Sequence, residues 1–145
     1  MKIKITEAQA AKLSKSTEVF LGGTVGESTW RDTLIPLLKI NYFNPVVKEW
    51  NDKAQQLEIK KRKTCDYVLY VITPFMEGVY SIAEVVDDSN KKPKQTILCV
   101  LSKDGDKEFT THQIKSLKMV KSMVKDNGGM VFETLEEIAQ KLNKI

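Results

Sequence analysis

The sequence predicts an α/β protein with a doubly wound, five-stranded parallel sheet and helices on both faces. Three observations carry this reading. Tyr67-Val68-Leu69-Tyr70-Val71-Ile72 is an unbroken apolar run, the pattern of a strand buried on both sides. Strand-like runs alternate with stretches of helical spacing along the chain, in the order β-α-β-α-β-α-β-α-β-α. Glycine or proline punctuates the strand ends at Gly22-Gly23, Pro45 and Pro74. The strand order expected of such a chain is flavodoxin-like, 2-1-3-4-5, which makes the first and third strands neighbours at the switch point where ligands sit.

The elements follow in order. Lys2-Ile3-Lys4-Ile5 alternates like a short strand, and Thr6 with Gln9 is suited to cap a short helix over Glu7 to Leu13. Residues 1–16 read as an N-terminal extension to a single domain spanning 1–145, with no function assigned to them. Glu18 to Leu21 is the first strand, and Gly22-Gly23-Thr24-Val25-Gly26 follows as a loop that lets backbone approach a ligand. It is neither GxGxxG nor a P-loop, so taken alone a plain turn explains it better than a ligand loop. Ser28 or Thr29 caps a helix expected from about Trp30 to Lys39, with Leu34, Leu37 and Leu38 as its buried stripe and Pro36 in its first turns. Tyr42 to Asn44 is the second strand. Asp52 to Lys63 reads as a helix whose apolar side is Ala54, Leu57 and Ile59.

After the central strand, Thr73 and Pro74 end the run and Gly78 opens a helix that carries Glu84. Asp87-Asp88-Ser89-Asn90 is placed after that helix, before a basic loop with Pro93. Gln95 to Leu101 is the fourth strand and Ser102 to Glu108 a polar loop. Thr111 to Lys125 is amphipathic, with Ile114, Leu117, Val120, Met123 and Val124 on one side, closed by Asn127-Gly128-Gly129. Met130 to Phe132 is the last strand, and Thr134 with Glu137 opens the final helix.

Composition bounds the function. The 145 residues are 41% hydrophobic and 29% charged, which suits one domain with a real core. The net charge of +4 comes largely from lysine-rich runs at Lys60–Lys63, Lys91–Lys94 and Lys115–Lys125. These are weighed as solvated helix faces and loops before a nucleic-acid footprint. Cys65 and Cys99 read as small core residues, with no metal-binding spacing, and a reducing, cytoplasmic setting fits them. No apolar run approaches membrane-spanning length.

Several residues are candidates for chemistry. Glu77 falls in the loop after the third strand and Glu84 about two turns on, on the same face. A carboxylate among Ile82, Ala83, Val85 and Val86 asks for a reason, although a solvent-facing helix position explains it equally well. Trp50 offers a ring to stack on a planar base, and Asn51 or Glu49 a partner for its edge. A packing Trp with Asn51 as a helix cap is the plainer alternative. Glu58 stands late in the second helix, where pairing with Arg62 four residues on is the plain reading. His112 has no second histidine and assembles no nucleophilic triad.

One chain of short motifs is specific. Phe20-Leu21-Gly22-Gly23-Thr24, Trp30-Arg31-Asp32, Tyr42-Phe43-Asn44-Pro45-Val46-Val47 with Trp50-Asn51, Cys65-Asp66, Ile72-Thr73-Pro74 and Gly78-Val79-Tyr80-Ser81-Ile82-Ala83-Glu84 occur in this order. Together they resemble the nucleoside 2-deoxyribosyltransferase-like family, from about Val19 to Leu101. The resemblance implies retaining transfer of a 2-deoxyribosyl group between nucleobases, with Glu84 in the place of the nucleophile. Glu58 holds the place of the acid that handles the proton on the base, where classical members have Asp. Glu77 is the nearest counterpart of an Asp that bonds the sugar hydroxyls. Phe20 stands where classical members have a hydroxyl-bearing aromatic. The resemblance adds Gly22, Gly23, Thr24, Trp30, Arg31, Asn44, Trp50, Asn51 and Gly78 to the expected substrate-binding set. It also implies a homo-oligomer whose neighbouring subunit completes the site, although no segment for that is recognised here.

Such chemistry needs neither metal nor redox cofactor. Its partners are a nucleoside or nucleotide and a free nucleobase. Alternatives of other classes stay open: an N-glycoside hydrolase acting on nucleotides or NAD, a non-catalytic nucleotide-binding module, or an interaction protein on a common fold. A receiver-type regulator is rejected, because Gly22-Gly23 and Thr73-Pro74 stand where its acidic residues would be.

Overall fold

The structure, a computed structural model, describes residues 17–145. The proposed strand and helix within residues 1–16 lie outside the described residues. The central sheet contains β1 (Glu18–Gly23), β2 (Asn41–Phe43), β3 (Tyr67–Ile72), β4 (Thr96–Val100) and β7 (Met130–Phe132). Its order is β2-β1-β3-β4-β7, all parallel, so the expected 2-1-3-4-5 arrangement holds once the sheet's own strands are counted. The five α-helices among the described residues are α1 (Trp30–Leu34), α2 (Asp52–Thr64), α3 (Tyr80–Lys91), α4 (Thr111–Asp126) and α5 (Leu135–Asn143).

Alternation along the parallel strands builds two cores. Val19, Leu21, Leu69, Val71, Ile97 and Cys99 face α1 and α5, meeting Trp30, Leu34, Ile138 and Leu142. Phe20, Val68, Tyr70, Ile72, Leu98 and Val100 face the opposite way, onto Val85 of α3 and Leu117 and Val124 of α4. Both cysteines are free and buried. No helix among the described residues is long and apolar enough to cross a membrane.

Several boundaries differ from expectation, each for a local reason. Gly22 and Gly23 belong to β1, paired with Tyr70 and Val71, instead of opening the loop. A Cβ on Gly23 would lie 2.1 Å from the Val71 carbonyl oxygen, and φ is +114°, so only glycine fits this strand end. The first helix stops at Leu34. A 3₁₀ turn over Ile35–Leu37 follows, set by Pro36, and it leaves Leu37 exposed. Helix α3 begins at Tyr80, not Gly78, and continues through Asp87–Asn90 to Lys91. The polar loop contains a small hairpin, β5 (Lys103–Asp104) with β6 (Lys107–Glu108). In α4, Met123 is exposed.

Helix α2 departs most. It buries no residue, and Leu57 and Ile59 are exposed. Polar contacts hold it instead: Lys61 pairs with Glu18 at 3.0 Å, and Arg62 reaches α3.

Candidate active site

The carboxyl ends of β1, β2 and β3 open into a cavity of about 610 Å³. Its floor is the end of β1 and its walls are the β1–α1 loop, the segment after β2, and the β3–α3 loop. Two contacts tie the two central loops together. The Thr24 amide donates to the Val71 carbonyl at 2.8 Å, and the Thr73 amide donates to Thr24 Oγ1 at 2.9 Å. Thr24 and Thr73 are both buried, so these bonds are shielded from water.

Trp30 and Arg31 support the same loop from below. Trp30 Nε1 donates to the Thr24 carbonyl at 2.8 Å, and Arg31 donates to the carbonyls of Leu21 and Thr24 at 2.7–3.2 Å. The guanidinium lies 4.3 Å from the Trp30 ring centroid. Burial lowers Arg31 to about 10, while Glu58 and Asp32 act to keep it charged.

The two carboxylates singled out from the sequence meet here. Glu84 stands just over one turn into α3, Glu58 late in α2, and both line the cavity. The Glu84 side chain is only 11% exposed. Burial pushes its carboxyl up to about 7; Arg62 opposes that rise, and Glu58 and Asp88 add to it. Glu58 is raised as well, by burial against the pull of Arg31 and Arg62. Two neighbouring carboxyls held above the ordinary range are suited to proton transfer and covalent chemistry near neutral pH. Glu58 does not form the anticipated ion pair with Arg62, whose carboxylate partners among the described residues are all on α3.

Of the other expected residues, Phe20, Gly22, Gly23, Thr24, Arg31, Trp50, Glu77 and Gly78 line the cavity. Trp50 is 56% exposed, so its ring is free to stack on a ligand. Three lie outside the lining. Trp30 is buried beneath the loop. Asn44 Oδ1 accepts from the Val46 amide, and Asn51 caps α2 by accepting from the Ala54 amide at 2.9 Å.

Sequence reading missed four contributors. Lys107, from the β5–β6 hairpin, reaches the cavity and sits 5.2 Å from the Phe75 ring centroid. Asp104 of the same hairpin accepts a hydrogen bond from Ser28, which fixes the hairpin to the β1–α1 loop. Tyr80 lines the cavity mouth and is 71% exposed. Arg62 lines a second cavity of about 510 Å³ that shares Trp50, Glu58, Tyr80 and Glu84 with the first. The i to i+4 spacing of Glu58 with Arg62, and of Glu84 with Asp88, was the available signal for this polar group.

Residues 16–103 match the family described as nucleoside 2-deoxyribosyltransferase like. No curated protein matches the chain at a significant level.

Proposed function

Because the chain belongs to the nucleoside 2-deoxyribosyltransferase-like family, we propose that it cleaves the N-glycosidic bond of a nucleoside or nucleotide with retention and transfers the 2-deoxyribosyl group to a second base. One observation carries this reading: Glu84, desolvated and held near neutrality, shares a cavity with a second raised carboxyl, Glu58.

The step balances with these two groups. An ionised Glu84 oxygen bonds to the anomeric carbon as the bond from that carbon to the base nitrogen breaks. The electron pair leaves with the base, which takes a proton from Glu58. An incoming base then gives its N–H proton to Glu58 and displaces Glu84 from the sugar. Trp50, exposed at the cavity wall, supplies a face for either base. Glu77 is the candidate for the sugar hydroxyls.

Hydrolysis is the second reading, and the exposure of Tyr80 and Trp50 favours it, because the described residues leave the cavity mouth open to water. Chromatography of reactions with deoxynucleosides and their 5′-monophosphates, with and without a second base, separates the two. A new nucleoside that disappears in Glu84→Ala supports transfer, and free base alone supports hydrolysis. Ligand-induced stabilisation without turnover replaces both with a binding module. The reaction is expected in the cytoplasm, and any assembly into homo-oligomers is read by light scattering.

A further inference from the structure

We propose that Tyr70, Asp88 and Arg62 form a positioning assembly for Glu84, in which Asp88 and the Tyr70 hydroxyl fix the Arg62 guanidinium beside the Glu84 carboxylate. This rests on the reading of Glu84 as the nucleophile.

Phe20 of β1 has no hydroxyl to offer the site, but the neighbouring strand does. Tyr70 of β3 is paired with Gly22 and points to the same side of the sheet as Phe20, with ring centroids 6.3 Å apart. A Cβ on Gly22 would come within 2.8 Å of the Tyr70 ring, so glycine there gives the ring its place. The buried Tyr70 hydroxyl donates to Asp88 Oδ2 and accepts from Arg62 Nε at 3.0 Å. Asp88 in turn takes Arg62 at both ends, Nε to Oδ2 and Nη2 to Oδ1, each at 3.0 Å. This fork fixes the plane of the guanidinium. Further bonds from Nη2 to Asp87 and to the Glu84 carbonyl join it to α3.

The fixed guanidinium sets Nε 3.5 Å from Glu84 Oε2. That distance delivers charge with little hydrogen bonding, so the carboxylate is favoured while its lone pairs stay available to carbon. A buried Asp88 whose only task was structural would need a cation, but not one set beside a second carboxylate one turn earlier on the same helix face. The ionisable groups around Glu84 are Arg62 and Glu58 from α2, Asp87 and Asp88 from α3, and Tyr70 from β3; Glu27, Arg31, Glu77, Tyr80 and Lys107 line the first cavity, and Lys63, Lys91 and Lys92 the second.

The test reads Glu84 directly. The full chain is labelled with ¹³C at glutamate carboxyls, the Glu84 signal is assigned with Glu84→Gln, and its titration is followed in Tyr70→Phe, Arg62→Lys and Arg62→Gln. Tyr70→Phe changes no charge at neutral pH, so a higher Glu84 midpoint in it reports lost positioning alone. The expected order of midpoints is wild type, then Tyr70→Phe and Arg62→Lys, then Arg62→Gln, raised by about one pH unit. In turnover, Tyr70→Phe and Arg62→Lys are expected to lower kcat about tenfold or more with KM little changed. Lower melting temperatures with an unmoved Glu84 midpoint would overturn the assembly and leave these residues as ordinary packing. If Arg62→Gln does not fold, Tyr70→Phe and Arg62→Lys decide. Absence of turnover in the wild type would count against Glu84 as nucleophile, while the titration still decides the assembly.

Discussion

Arg62 Nε stands 3.5 Å from Glu84 Oε2, longer than an ordinary N–H···O bond and close enough for a strong charge interaction. Burial, Glu58 and Asp88 favour the neutral acid, and Arg62 favours the carboxylate. The balance lies at about 7, where a small change in surroundings alters the ionised fraction most.

That balance sets a pH dependence. A nucleophilic Glu84 must be ionised, so the acid limb of kcat/KM is expected to rise with pH through about 7. Initial rates across buffers of constant ionic strength read this. An acid limb centred near 4.5, the ordinary carboxyl value, would show that Glu84 is not the group titrating.

The same shift affects stability. A carboxyl raised in the folded state contributes stability fully below its unfolded value near 4.5, and that contribution is lost as pH rises through about 7. Glu84→Gln removes the titration. The variant is therefore expected to be more stable than the wild type at roughly pH 8, by on the order of 2 kcal/mol, with the gap closing below roughly pH 4. Denaturant titrations at the two pH values measure it.

Glu58→Gln removes the proton donor without removing the nucleophile. Turnover of ordinary nucleosides is expected to fall by about 10²–10⁴-fold, with much smaller loss for a nucleoside whose base leaves without protonation. Equal losses for both would assign Glu58 another role.

Trp50→Ala tests the stacking face. With the ring 56% exposed, its removal is expected to leave the melting temperature nearly unchanged and to weaken ligand binding by about 1–3 kcal/mol. Calorimetric titration with a nucleoside gives the affinity.

Gly23→Ala tests the floor of the cavity. With φ at +114° and the Val71 carbonyl oxygen 2.1 Å from the added Cβ, the cost is expected on the order of 3 kcal/mol. The β1–β3 junction must move, so activity is expected to fall with stability.

The sheet was legible because its strands carry their own signal: Tyr67 to Ile72 is apolar throughout, and the parallel order follows from helical stretches between strands. Glu84 and Glu58 stood out by type and spacing, and the chain of motifs gave them roles. What the sequence did not show depends on contacts distant along the chain. Tyr70 read as core, and only its pairing with Gly22 and its bonds to Asp88 and Arg62 reveal a polar end. Asp88 was placed beyond the helix because Asp-Asp-Ser-Asn looks like a terminus, yet Arg62 and Tyr70 stabilise it inside α3. Leu57 and Ile59 carried an apolar signal that α2 does not bury, since its anchors are Lys61 and Arg62. Lys107 reached the cavity through a hairpin too short for a periodic signal.

Trapping the covalent intermediate tests the role of Glu84 most directly. The protein is incubated with a 2-fluorinated arabinosyl nucleoside, which slows breakdown of a glycosyl-enzyme, and its intact mass and peptides are measured. The expected result is one added fluoropentosyl group, located on the peptide at Glu84 and absent in Glu84→Gln. Turnover of the natural substrate with the label on another residue, or with an unchanged label in Glu84→Gln, would contradict it.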